Sequence, residues 1–113
     1  MESILNTIKK MLGIEEEYEH FDQDIIIAIN TAFATLMQLG VGPTSGFSIN
    51  SKDATWQDFL GDSTDLEMVK TYIFMKTKLM FDPSLTSNIN ELYKEQIKEL
   101  EWRLNVQVDG GKR

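Results

Sequence analysis

The chain has 113 residues, 42% of them hydrophobic and 26% charged, the proportions of one ordinary globular domain and not of a disordered segment. Eighteen acidic and eleven basic side chains leave a net charge of −7, the wrong sign for gripping phosphates, so tight nucleic-acid binding is not expected. The absence of cysteine excludes disulfides and thiolate metal sites, and the longest unbroken apolar run, residues 25–29, falls far short of the roughly 20 residues of a membrane span.

The chain starts with an amphipathic pattern and an early glutamate, not with a basic segment and a continuous apolar core, so no secretory signal is expected. Ile4, Leu5, Ile8, Met11 and Leu12 recur at helical spacing and predict a first helix over residues 2–12, ended by Gly13. The run IEEEYEHFD then reads as a solvated acidic connector. A second helix is expected from Asp22, whose carboxylate is suited to cap it. It carries Ile25, Ile26, Ile29, Phe33, Leu36 and Met37, with Ala28 and Ala32 allowing a neighbour close, and GVGP stops it.

Residues 40–56, GVGPTSGFSINSKDATW, are too long for a simple helix connection. Phe47 and Ile49 alternate with polar residues, which predicts a short extended or β-hairpin arm. The following ATWQDFLG predicts one helical turn that tucks Trp56, Phe59 and Leu60 under the loop. Such large apolar side chains in a loop mean that it packs against something.

Thr64 and Glu67 match a capping box ahead of LEMVKTYIFMKTKLMF, and Pro83 closes that third helix. Leu66, Val69, Ile73 and Met80 share one side, while Tyr72, Phe74, Met75, Leu79 and Phe81 spread apolar surface around the rest. Contacts on more than one side are therefore expected. A fourth helix is expected from an Asn88 cap, with Ile89, Leu92, Tyr93, Ile97, Leu100 and Leu104 as its stripe. Trp102 falls off that stripe, consistent either with a partner surface or with an indole lying along the monomer or under the loop. Val106 and Val108 alternate like a strand, and the glycines and charges of NVQVDGGKR read as a flexible tail.

Catalytic chemistry finds no foothold. His20 is the only histidine, there is no cysteine, and no serine sits in a Gly-x-Ser-x-Gly setting. Glu15, Glu16, Glu17, Glu19, Asp22 and Asp24 lack the alternation of a calcium loop, and GVGPTSG lacks the lysine of a phosphate loop. The expectation is no enzyme, no metal and no cofactor.

The ordered set DQDIIIAINTAFATLMQLGVGP, SGFSI, TWQDFLGD, KTYIFMKTKLMFDP and YKEQIKELEWRLN, spanning residues 22–105, resembles the head-tail connector, or adaptor, proteins of long-tailed bacteriophages of Gram-positive bacteria. The resemblance implies a structural virion protein, assembled in the host cytoplasm as a ring of about twelve copies beneath the portal. Such a ring extends the DNA channel and docks a tail-side head-completion or stopper protein, passing DNA without sequence-specific binding. The expected architecture is all-α: about four helices, with the arm of residues 40–54 between the second and third, in one domain of residues 1–113. Within it, residues 1–20 form the first helix and acidic connector, 21–105 the core and 106–113 the tail. Phe47, Ile49, Trp56, Tyr72, Phe74 and Trp102 are the candidate contacts with sister copies. Val106, Gln107 and Val108 are the candidate portal contacts. The competing reading is a small acidic helical adaptor or regulatory protein that binds a single protein partner.

Overall fold

The computed structural model describes residues 2–43, 45–60, 66–81 and 87–111, with α5 side chains described over residues 88–106. Five helices follow in chain order: α1 Ile4–Leu12, α2 Asp22–Gln38, α3 Trp56–Leu60, α4 Leu66–Phe81 and α5 Ser87–Gly111. The four long helices and the single turn at Trp56 match the predicted elements. The predicted capping residue Thr64 and the closing Pro83 lie outside the described residues.

Local chemistry explains the helix ends. Ser3 caps α1 by accepting the Asn6 N–H at 3.2 Å. At the other end Gly13, left-handed at φ 82, and Ile14 return their N–H groups to the carbonyls of Lys10 and Lys9 at 3.0 and 2.8 Å. Asp22 does not cap α2 as expected: Phe21 stands at the cap position without a side-chain bond, and Asp22 lies in the first turn. Nor does Asn88 cap α5, because that helix already begins at Ser87.

α4 is the hub, packing against α1, α2 and α5. Val69, Tyr72, Ile73 and Thr77 are buried along it, and Met68, Phe74, Met75, Leu79 and Phe81 are half-buried against the core. Its apolar girth therefore finds much of its cover inside one subunit. α2 contributes Ile25, Ile26, Ile29, Ala32, Phe33 and Leu36 to the same core. Among its described side chains, α5 gives the core only Ile97 and Leu104 as buried ones.

Two expectations are corrected. Among the described residues no strand forms, and the β-hairpin arm is absent; the only pairing is an isolated antiparallel bridge between Ser3 and Thr55. Two alternating apolar residues are too few to specify a hairpin. A side chain takes the place of a strand partner: Asn30 accepts the Ile49 N–H at 2.7 Å and donates to the Ile49 carbonyl at 2.9 Å. The expected tail is also different, since residues 106–111 continue α5. Extending an existing helix costs far less than starting one, so two alternating valines do not stop it.

Candidate assembly surfaces

The irregular segment between α2 and α4 is built inward. Phe33, Phe47 and Phe59 form an aromatic triangle with ring centroids 4.6–5.2 Å apart. Gly42, at φ 86, lies so close to the Phe59 ring that a Cβ there would overlap it. The buried Trp56 indole donates to the Thr7 hydroxyl at 3.0 Å, and that hydroxyl donates to the Ser3 carbonyl at 2.6 Å. Lys70 pairs with Glu2 at 2.6 Å and sits 5.9 Å above the Trp56 ring. A capping box starts α3: the Asp58 N–H donates to Thr55 Oγ1 at 3.3 Å, and the Thr55 N–H donates to Asp58 Oδ2 at 2.9 Å. The motif TWQD carries that signal in the sequence.

The six candidate contact residues accordingly separate. Ile49, Trp56 and Tyr72 are buried in their own subunit, a correction to their assignment as surface contacts in this fold. Tyr72 donates to Glu101 Oε2 at 2.8 Å; burial and then the neighbouring Glu101 raise its hydroxyl pKa well above the ordinary value, against a smaller lowering by Thr35. Phe47 is half-buried in the aromatic triangle, and Phe74 is half-buried with its ring 6.3 Å from that of Tyr93. Trp102 is different: it is 67% exposed on the face of α5 turned from the core, with exposed Val106 one turn on. Gln107 and Val108 lie on the same helix.

More apolar surface is uncovered around the α4 C-terminal half. Ile27 and Met80 are exposed beside a groove between α2 and α4, and Met80 also borders a groove of about 510 Å³ between α4 and α5. Ile89 and Leu92 add exposed apolar positions on the first turns of α5.

The acidic connector exposes the side chains of residues 15–20 to solvent, as expected, while its backbone is pinned from beneath. Lys9, only 1% exposed, donates to the carbonyls of Glu16 at 2.9 Å and Tyr18 at 2.8 Å and pairs with Asp22 at 2.8 Å. Two carbonyl acceptors and an adjacent carboxylate thus surround the ammonium, which makes burial of the charge tolerable. Sequence gave little warning, because Lys9 beside Lys10 looks like the polar side of α1. His20 stacks edge-on against Phe21 at 4.7 Å, and Phe21 in turn meets Phe81 at 5.3 Å.

Among the described residues no group of three histidine, cysteine or carboxylate side chains is placed to hold a metal. No helix among them is long and apolar enough to cross a membrane. What the surface offers is exposed apolar side chains on helices and a pinned acidic connector. A model of the family described as phage connector protein matches residues 4–111. Comparison with curated proteins and with solved structures returns no match.

Proposed function

The chain belongs to the phage connector protein family, a structural component of the virion that works with other head and tail proteins, and from that premise we propose how it does so. It assembles as a closed ring of about twelve copies beneath the portal, lengthens the DNA channel and receives a tail-side completion protein. Trp102 is the observation that supports this reading. A largely exposed indole on the outer face of α5 has no role in one subunit's core, and tryptophan anchors interfaces disproportionately often. A ring subunit meets neighbours on two different sides, which accommodates both Trp102 and the separate exposed surface at Ile27 and Met80. Phe47 and Phe74, half-buried in the free subunit, keep edges that a neighbour can cover.

The end of α5 is the proposed portal contact, presented as a helix and not as a loose peptide. Leu104 is its last buried side chain among those described, and the exposed Val106 beyond it supports this reading, with Gln107 and Val108 next along the same helix. The acidic balance suits a wall past which a polyanion must slide without sticking.

The test is reconstitution with the phage portal, read by native mass spectrometry and electron microscopy. Rings are expected on the portal vertex. Removal of residues 106–113 should spare the helical circular-dichroism spectrum and lower portal binding. A protein that neither self-associates nor binds portal complexes would overturn the ring and favour a single-partner adaptor.

A further inference from the structure

The groove between α2 and α4, about 440 Å³ in volume, is lined by Phe21, Asp24, Ile27, Ala28, Met80 and Phe81. Asp24 is its one charge, and that exposed carboxylate has no cationic partner among the described residues. It stands one helical turn before Ala28, at the acidic end of an otherwise apolar lining. A fitting occupant therefore carries a large apolar side chain with an unpaired cation one turn away.

The exposed surface of the same chain offers that pair once. Trp102 is largely exposed, and Lys98, one turn before it on α5, is exposed with no carboxylate within ion-pair distance among the described residues. The acids nearby leave this cation uncompensated: Glu99 is held by Arg103 at 3.1 Å, Glu101 accepts from Tyr72 at 2.8 Å, and Glu95 lies two turns from the indole without pairing Lys98. The other exposed apolar side chains outside the groove lack such a neighbour. Met11, Tyr18, Met37, Ile89 and Leu92 have no lysine or arginine three or four residues away, and Val106 has only the engaged Arg103. The surface charge beside Trp102 is thus opposite to that of the groove, at the matching spacing of four residues.

We infer that Trp102 of one copy seats in the α2–α4 groove of the next, between Ile27 and Met80, with Lys98 against Asp24. The inference rests on the ring reading and joins two of its exposed surfaces into one contact. Knob and groove are different patches, so the contact is heterologous: each copy gives one and receives one, as a closed ring requires. The indole supplies the anchor, and the charge pair at its edge fixes the direction in which it lies along the groove.

Two double-mutant cycles test it. Asp24→Lys and Lys98→Glu each set like charges against one another, so each should weaken association about tenfold in sedimentation and native mass spectrometry, with and without portal. The chain carrying both reversals restores an opposite pair and should recover most of that loss. Ile27→Ala should weaken association in the parent but add little to Trp102→Ala, because the groove has by then lost its occupant. All four positions are exposed, and unchanged circular dichroism verifies each fold. Absence of rescue by the second reversal, or fully additive alanine effects, would assign Trp102 and the groove to different partners; either result overturns this contact and leaves the ring reading standing. A parent protein that forms no ring even on the portal would overturn the ring reading and the contact with it.

Discussion

Among the described residues of 40–55 there is no helix or strand, yet Val41 and Ile49 are buried and Phe47 joins an aromatic cluster. α5 is an unbroken helix of 25 residues, about 37 Å long, yet Ile97 and Leu104 are its only fully buried side chains among those described. Regular backbone and burial have come apart. A helix satisfies its own backbone hydrogen bonds and can stand with one side in water, ready for a partner. Irregular chain cannot be buried until side chains answer its N–H and C=O groups, as Asn30 does for Ile49. The two regions should respond oppositely to substitution, and the largest effects should fall in the one that looks loose.

Trp56→Ala should be the most damaging change. It empties a buried indole site and removes the donor to Thr7, so a loss of about 3–5 kcal/mol in urea denaturation is expected. A loss under about 1 kcal/mol would mean that the segment is an attached arm and not core, and the contrast with α5 would fail. Gly42→Ala follows at about 2–3 kcal/mol, combining a left-handed backbone unfavourable to alanine with displacement of the Phe59 ring. Thermal melts check it, and Gly13→Ala is the control: φ is similar there, but the added Cβ meets open space, so the strain alone should register.

Asn30→Ala should cost about 1–2 kcal/mol by leaving the Ile49 N–H and carbonyl without partners. Hydrogen exchange at the Ile49 amide separates this from general destabilisation, since that amide should lose protection before the α2 amides do. Tyr72→Phe sharpens the α4 to α5 side of the comparison, with a loss of about 1 kcal/mol as the bond to Glu101 disappears. Because the folded state holds the Tyr72 proton more tightly than the unfolded chain, its contribution is complete below the ordinary tyrosine value of 10.0 and falls as pH rises above it. The phenylalanine variant should therefore show a shallower alkaline loss of stability than the parent.

Periodicity made the helices legible because α1, α2 and the inner stripe of α5 obey one face each. The inward turn of Trp56 was legible too, since large apolar side chains in a loop need cover. What periodicity could not convey was who supplies the cover. Ile49 and Tyr72 read as spare surface because their partners, Asn30 and Glu101, lie 19 and 29 residues away. Lys9 was missed for the same reason: its acceptors are backbone carbonyls, which no residue pattern announces. Family resemblance pointed to a phage connector, but in this fold three of the residues first assigned to contacts with sister copies face their own core.

Trp102→Ala should have the smallest effect on the isolated subunit, within about 0.5 kcal/mol, because an indole that is 67% exposed covers little core. Its effect on assembly should be of another order: an interface anchor of this kind is worth about 2 kcal/mol or more, roughly a thirtyfold loss of association. Equilibrium denaturation of the monomer and sedimentation of the assembled ring, performed on the same variant, compare the two directly. A variant unchanged in both would make Trp102 an idle surface residue and return the outer face of α5 to solvent. A variant that unfolds would move Trp102 into the core and erase the distinction between the two regions. Only an intact subunit that assembles poorly fits a helix whose outer side is completed by a neighbour.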